Sequence, residues 1–282
     1  MVRLTDRITD RFSATAGGAT AEGRSAGIWE KSSKFLYNYV NKGLQNAPQV
    51  TFLNYGYVPP EGQPIALEAH DEPNRVYIQL YNRVVSSVDL QGLEVVEISS
   101  GRGGGAKYIT QYFKPRSMLG VDRCTFAVDF CTTQHARPGL RFMCGDAQAL
   151  PLADASFDAL VNVEASHDYP QLERFFSEVR RILRPGGHFL YTDFRKREHC
   201  AQWHDQIQQS GMELVEQEDI TANVVKGLEH LTPQHVALVK QLSPFLLRPI
   251  FRQLAGVKGS YVHRSLESGK QKYIRYVLRK PA

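Results

Sequence analysis

The sequence predicts an α/β fold in which helices cover both faces of a mostly parallel β-sheet. From about residue 94, short apolar runs alternate with stretches of helical periodicity and short loops. This alternation is typical of parallel strands joined by helical crossovers. Ahead of it, residues 68 to 88 form a predicted helix, one face of which carries Val76, Leu80, Val84 and Val88. The chain therefore begins with helices and continues as a layered core.

The elements before the sheet are predicted from composition and periodicity. Residues 13 to 27 are small and flexible, which indicates a mobile segment, and residues 28 to 44 have helical spacing. Together with the stretch at 68 to 88, this predicts two or three helices ahead of the core.

The core elements follow in chain order. The alternating runs are EVVEIS, AKYITQYF, SMLGVD, FAVDFCTTQHA, LRFMCGD, FDALVNVEA, LERFFSEVRRIL and GHFLYTDF. A helix over CAQWHDQIQQSG and a strand over MELVEQED come next. They precede a helical segment at about 221 to 254 that is interrupted by Pro233, Pro244 and Pro249. The last run, KQKYIRYVLRK, alternates as an antiparallel edge strand does.

The length of 282 residues suits one core domain with additions. We predict an N-terminal helical cap with a flexible segment at residues 1–90 and a core at residues 91–282. Within the core, an apolar, proline-containing stretch at about 228–262 is predicted to be a helical insert.

Charge and cysteine usage argue against several classes of protein. The net charge is +5, but the basic residues are scattered, so we expect no nucleic-acid partner. The four cysteines form no CxxC pair and have no metal-ligand spacing, so we expect neither a zinc site nor a disulfide framework. The N-terminus is charged throughout and no long apolar run follows, so we expect no stable membrane insertion and a cytoplasmic protein.

The stretch VVEISSGRGGGAKY, residues 95–108, predicts a ligand site, because glycines in a turn after a strand let a ligand approach the backbone. A phosphate-binding P-loop is excluded, since Ala106 and Tyr108 stand where it needs glycine and a hydroxyl. The dinucleotide fingerprint GxGxxA does match here, which keeps an NAD-dependent oxidoreductase as a weak alternative.

An acidic residue within the preceding strand distinguishes a dinucleotide site from a site for a cationic ligand. Glu97 would repel a pyrophosphate, whereas a cationic amino-acid group would be attracted to it. The turn is therefore predicted to hold a cationic ligand.

Five motifs in order resemble those of class I S-adenosylmethionine (SAM)-dependent methyltransferases: VVEISSGRGGG, GVD, GDAQALP, SFDALV and LRPGGHFLYTDF. Ser99 in place of the first glycine, NVEASHDY at 162–169 and NYGYV at 54–58 resemble a narrower branch. That branch contains the phthiotriol/phenolphthiotriol dimycocerosate methyltransferases and related natural-product methyltransferases. The resemblance implies a Rossmann-like sheet of seven strands with an antiparallel last strand, SAM as cofactor, and an insert that forms a lid over the acceptor.

The resemblance also implies the residues that bind the cofactor. They are Tyr55, Tyr57, Glu97, Ser99, Gly101, Gly103, Asp122, Arg123, Asp146, Ala147 and Glu164. Glu97 is expected near the amino group, Asp122 at the ribose, and Asp146 with Ala147 at the adenine. From the residues alone, Asp122 and Asp146 also suit backbone caps, and the two tyrosines also suit packing.

The catalytic candidates are His167, Asp193 and Glu164. A neutral imidazole is available at physiological pH, and related O-methyltransferases carry a histidine in the segment that matches EASH and an aspartate at the end of the fifth strand. We therefore expect His167 to deprotonate the acceptor and Asp193 to orient the imidazole, with Glu164 lining the pocket or holding the histidine.

The predicted function is methyl transfer from SAM to a hydroxyl of a large apolar small molecule, such as a polyketide or lipid. The alternatives are C-methylation of an activated carbon and a SAM-binding cyclase that does not methylate. No metal is expected, since the spacing of His199, Cys200 and His204 suits no common site. The protein is expected to be a monomer or homodimer.

Overall fold

The computed structural model describes residues 42–44, 47–60, 65–243, 245 and 248–282. The predicted mobile segment at 13–27 lies outside the described residues, as does the predicted helix at 28–44 except for its last three positions.

Seven strands form one sheet, in the order β3-β2-β1-β4-β5-β7-β6. In chain order the strands are β1 Glu94–Ile98, β2 Ser117–Asp122, β3 Leu140–Cys144, β4 Phe157–Val163, β5 Leu183–Lys196, β6 Glu213–Asp219 and β7 Gln271–Arg279. Strands β1 to β5 pair in parallel, and β7 runs antiparallel to both β5 and β6. The predicted seven-stranded, mostly parallel sheet with an antiparallel last strand is confirmed.

The prediction of an edge position for the last strand was wrong. Strand β7 lies between β5 and β6, and almost all of its residues are buried. The alternation was misleading because two of the polar residues of the strand, Gln271 and Arg275, are buried. Arg275 is fully buried, and its Nη1 lies 2.7 Å from Oε2 of Glu216 on β6. The true edge is the charged and largely exposed β6.

Eight α-helices are described. They are α1 Arg75–Val85, α2 Gly104–Phe113, α3 Thr125–Gln134, α4 Leu172–Ile182, α5 Cys200–Gln209, α6 Thr221–Leu242, α7 Arg248–Leu254 and α8 Tyr261–Glu267. Two buried apolar clusters flank the sheet, one containing residues of α1, α2 and α6 and the other residues of α4 and α5. Among the described residues, no helix combines the length and the apolar character needed to span a membrane.

Two of the predicted proline breaks do not interrupt a helix. Pro233 lies inside α6, which continues through it, because apolar residues such as Leu228 and Leu231 are fully buried in the core and hold the helix in place. Pro249 lies in the first turn of α7, where its missing N–H removes no helical hydrogen bond.

The strand order reverses between β1 and β4, which lie side by side at the centre of the sheet. In open parallel sheets, ligands gather at the carboxyl ends of the strands at such a reversal. The glycine turn follows β1 and the EASH segment follows β4, so the fold brings the two predicted motifs to this point.

Candidate active site

The turn after β1 contains three residues with positive φ: Ser99 at 59°, Gly101 at 53° and Gly103 at 74°. Ser99 therefore adopts the left-handed conformation that glycine tolerates best. Its hydroxyl lies 2.6 Å from Oη of Tyr169. The missing first glycine is thus replaced by a residue whose side chain ties the turn to the loop after β4.

The glycines that begin α2 are required for packing. A Cβ on Gly103 would lie 2.7 Å from Cδ2 of His135, and one on Gly105 would lie 2.0 Å from Cε1 of Tyr81. Such approaches leave no room for a side chain. Gly103, predicted to let the backbone approach the cofactor, borders protein atoms at this point.

A cavity of about 130 Å³, the smaller cavity, opens between the turn and the end of β4. Five predicted cofactor-binding residues line it: Ser99, Gly101, Asp122, Arg123 and Glu164. Asp122 accepts hydrogen bonds from the N–H of Gly101 at 2.8 Å and from that of Cys124 at 2.8 Å. Its carboxylate therefore orders the backbone on both sides of the cavity.

Glu97 lies behind this cavity and is 1% exposed. Tyr81, which lines the cavity, donates its hydroxyl proton to Oε1 of Glu97 at 2.7 Å. Burial and, to a lesser extent, the charge of Asp122 together raise the pKa of Glu97 to about 8, against the hydrogen bond from Tyr81. Among the described residues, Oε2 of Glu97 has no hydrogen-bond partner. A buried acid with one unsatisfied oxygen fits a cationic amino group, so the site suits the predicted cofactor.

Three other predicted residues lie away from the smaller cavity. Asp146 is exposed and accepts a hydrogen bond from the N–H of Gln148 at 2.9 Å, so its carboxylate caps its own loop. Ala147 is buried in the cluster that contains α4. Tyr57 is 4% exposed, and the pKa of its hydroxyl is raised by burial and by the nearby charge of Glu218 on the edge strand. Their contacts with the cofactor stay predictions.

His167 and Asp193 form a hydrogen-bonded pair beside the cavity. Nδ1 of His167 lies 2.7 Å from Oδ1 of Asp193 at the end of β5, and the backbone N–H of His167 donates to Oδ2 at 2.8 Å. The imidazole packs on Phe194 with a ring separation of 4.4 Å and is 17% exposed. His167 borders neither described cavity, but Glu164 and Asp168 on either side of it line the smaller one. Because Asp193 occupies Nδ1, the nitrogen available to an acceptor is Nε2.

Neighbouring charges set both pKa values in the pair. Burial alone would lower the pKa of His167, but the carboxylates of Asp193 and Asp168 outweigh it and raise the pKa above its ordinary value of 6.5. Burial works against ionisation of Asp193 as well, yet His167 and Arg195 hold its pKa well below the usual range. Asp193 is therefore an anion at neutral pH that stabilises an imidazolium.

Arg195 was missed at the sequence level. It is 5% exposed, its Nη1 lies 3.1 Å from Oδ2 of Asp193, and its Nη2 donates to Oγ of Ser166 at 2.9 Å. Its guanidinium also lies over the ring of Trp203, 4.6 Å from the centroid. Such a buried, multiply bonded arginine fixes the orientation of the aspartate. The only sequence signal was its position two residues after Asp193.

Glu164 connects the loop after β4 to the N-terminal part of the chain. It has a φ of 50°, and its Oε1 accepts from the N–H of Tyr55 at 2.9 Å and from Oη of Tyr273 at 2.6 Å. Burial raises its pKa to about 7, although these hydrogen bonds oppose the shift. Glu164 does not touch His167 through a hydrogen bond; it lines the smaller cavity and anchors Tyr55.

A second cavity of about 710 Å³, the larger cavity, lies between α1, α6 and the segment before α1. The residues Thr51 to Asn54 border both cavities, and Tyr55 borders only the larger one. The ring of Tyr55 lies 5.6 Å from that of Phe194, which itself packs on His167. The larger cavity therefore adjoins the smaller one, and the packed rings of Tyr55 and Phe194 lie between it and His167.

Comparisons with known proteins agree with this geometry. A model described as a methyltransferase domain matches residues 96–191. The chain is 38% identical over 260 residues to the phthiotriol/phenolphthiotriol dimycocerosates methyltransferase of Mycobacterium tuberculosis, covering 92% of this chain and 96% of that protein. It is 37% identical over 275 residues to a fatty-acid O-methyltransferase of Mycolicibacterium smegmatis, covering 94% of this chain and 98% of that protein.

Two solved structures share the fold. The 4+2 cyclase SpnF has a TM-score of 0.66 at 19% identity and covers 88% of this chain and 94% of its own. A putative sarcosine dimethylglycine methyltransferase from Galdieria sulphuraria has a TM-score of 0.65 at 14% identity, and the match covers 81% of this chain and 93% of that one.

Fold and site together define an enzyme of the SAM-dependent methyltransferase class. The chain belongs to the class I family of these enzymes, in the branch of the phthiotriol/phenolphthiotriol dimycocerosates methyltransferases. Its cofactor is SAM. We predict that residues lining the smaller cavity, together with Glu97 behind it, contact the cofactor.

We expect Glu97→Gln to weaken SAM binding about 10- to 100-fold, because hydrogen bonds to charged groups contribute about 1.5–3 kcal/mol. Titration calorimetry with SAM measures this, and Glu213→Gln, an exposed position on β6, is the matched control. Equal affinity of Glu97→Gln and the unmodified protein would show that the buried acid does not hold the cofactor's cationic group.

Proposed function

We propose that this protein transfers the methyl group of SAM to a hydroxyl of a large, neutral, apolar molecule, with His167 as the general base. The observation that carries this proposal is the 2.7 Å contact between Nδ1 of His167 and Oδ1 of the fully buried Asp193. A base is needed by a hydroxyl acceptor, because its proton must leave as the new bond forms.

The residues of the chain have distinct parts in this reaction. Bound SAM supplies a methyl group on a positively charged sulfur, which makes the methyl electrophilic. Nε2 of His167 accepts the hydroxyl proton, Asp193 stabilises the imidazolium so formed, and Arg195 with Ser166 holds Asp193 in place. Orientation by the cavities provides the in-line approach on which methyl transfer depends.

The charges near His167 favour a hydroxyl over a carboxylate as the acceptor. Oδ2 of Asp168 lies 4.0 Å from Nε2 of His167, Asp193 lies against the imidazole, and the nearby Arg195 is already paired with Asp193. An acceptor carboxylate would be repelled by these acids, and it would have no proton for a base to remove. This argues for a neutral alcohol, although one relative is named a fatty-acid O-methyltransferase.

The larger cavity supports an apolar acceptor. Its wall includes Phe52 before α1, Leu238 and Val239 of α6 and Phe251 of α7. A volume of about 710 Å³ lies within the range of about 300–1,000 Å³ that is usual for small-molecule sites. We propose that the acceptor wall is formed by α7 and by the part of α6 that lies within the insert predicted at about 228–262.

The test uses SAM carrying a carbon-13 methyl group and lipid extracts rich in long-chain alcohols. We expect S-adenosylhomocysteine to be released and the labelled carbon of the product to resonate in the range of methyl ethers. A resonance in the range of carbon-bound methyl groups would show C-methylation. Product formation without S-adenosylhomocysteine would show a cyclase or another activity that does not methylate.

A further inference from the structure

The larger cavity contains a polar pair that the proposed methyl transfer does not use. Oη of Tyr77 on α1 lies 2.8 Å from Nε2 of His235 on α6. Each residue is 9% exposed, and both line the cavity. Tyr77 also stacks on Phe52, with ring centroids 5.8 Å apart. The pair is therefore held on two sides and lies in the wall of a pocket that is largely apolar.

Both members of the pair are neutral near pH 7. Burial lowers the pKa of His235 below its ordinary value of 6.5, and burial raises the pKa of the Tyr77 hydroxyl above 10. A hydroxyl beside a neutral imidazole can both donate and accept a hydrogen bond. Such a pair suits an uncharged oxygen, and it offers no positive charge to a carboxylate.

The charged groups elsewhere on the wall are already compensated. Lys107 lies 2.9 Å from Oδ1 of Asp71, and Tyr112 and Gln111 donate to the other carboxylate oxygen. His70 lies 3.4 Å from the same carboxylate. Among the described residues of this wall, the Lys107 ammonium is thus engaged by Asp71, which again favours a neutral ligand.

We propose that Tyr77 and His235 form a polar subsite that binds a second oxygen of the acceptor, a hydroxyl or a ketone, remote from the hydroxyl that is methylated. This inference rests on the proposed function for the identity of the ligand as the acceptor. Residues Thr51 to Asn54 border both cavities, so the proposed acceptor would extend along this segment from the subsite towards the cofactor. The subsite would select oxygenated chains over plain hydrocarbons.

The test measures binding without SAM, so it does not depend on methyl transfer. Displacement of the neutral dye Nile red is compared for 1-decanol and for 1-chlorodecane, which has a similar shape but no hydroxyl. We expect 1-decanol to bind about 2- to 10-fold more tightly, as one net hydrogen bond provides. Tyr77→Phe and His235→Leu should each bring the ratio close to one, whereas the control Tyr261→Phe, outside both cavities, should leave it unchanged.

A purely structural role for the pair predicts a different result. If the pair only joins α1 to α6, both ligands weaken by the same factor in Tyr77→Phe and the ratio is retained, which overturns the proposal. Nitrogen-15 NMR of the imidazole groups gives a second readout. The resonances of His235 should shift when 1-decanol binds and not when 1-chlorodecane binds. If the preference is found but no acceptor is methylated, the proposed function fails while the subsite stands.

Discussion

Replacing His167 with alanine is expected to slow single-turnover methyl transfer by about 10²- to 10⁴-fold, the usual contribution of a positioned general base. The acceptor hydroxyl would lose the nitrogen that takes its proton. SAM binding should stay within about twofold, because His167 does not line the smaller cavity and about 0.4 kcal/mol corresponds to a twofold change. Rapid-quench measurement with SAM bound isolates the transfer step from product release.

His204→Ala is the matched control, because His204 lies on α5, outside both cavities. It should transfer the methyl group at the unmodified rate. An undiminished rate in His167→Ala would remove the general base from the mechanism and would favour an acceptor that needs no deprotonation.

Replacing Asp193 with asparagine is expected to lower the same rate by about 10²- to 10⁴-fold, because an amide can favour the wrong imidazole tautomer and cannot stabilise the imidazolium. Asp193 is fully buried and also pairs with Arg195. Removal of its charge leaves Arg195 without its anionic partner. In a buried pair this lowers the free energy of unfolding by about 3–5 kcal/mol. The rate must therefore be measured well below the melting temperature of the variant.

Ser166→Ala separates the two effects. Ser166 donates to Oδ2 of Asp193 at 2.6 Å, so its loss weakens the support of the carboxylate but keeps the charge. We expect a rate loss of less than about tenfold, since the net contribution of one hydrogen bond is about 0.5–1.5 kcal/mol. A Ser166→Ala rate as low as that of Asp193→Asn would show that the geometry of the network matters and the charge does not.

The sheet and the two central motifs could be predicted because their signals are local. Alternating apolar runs fix the strands, and a glycine turn after one strand and an EASH segment after another both meet where the strand order reverses. The pairing of His167 with Asp193 followed from the resemblance, and the distance of 2.7 Å agrees with it.

The support of the site could not be predicted, because it comes from residues that are distant in the chain. Tyr81 donates a hydrogen bond to Glu97 from a helix whose sequence pattern indicates only core packing. Tyr273 donates to Glu164, which is 109 positions away in the sequence. Nothing in the local pattern around Tyr77 and His235 indicates their contact, which depends on the packing of α1 against α6.

The failed prediction for β7 has the same cause. Alternation of polar and apolar residues indicates a strand with one exposed face only if the polar side chains reach water. Arg275 instead pairs with Glu216 on the next strand and also contacts Ser87 at the end of α1. A buried arginine that pairs with an acid on the next strand cannot be distinguished from an exposed charge by periodicity alone.

The most direct test of the account is the pH dependence of single-turnover methyl transfer in the unmodified protein and in Asp193→Asn. A general base must be neutral, and the pKa of His167 is raised by Asp193, so the rate should fall as the pH drops, with an apparent pKa above 6.5. Loss of the carboxylate should move this acid limb to lower pH. A rate that does not change with pH, or an acid limb at the same position in both proteins, would contradict a His167 base supported by Asp193.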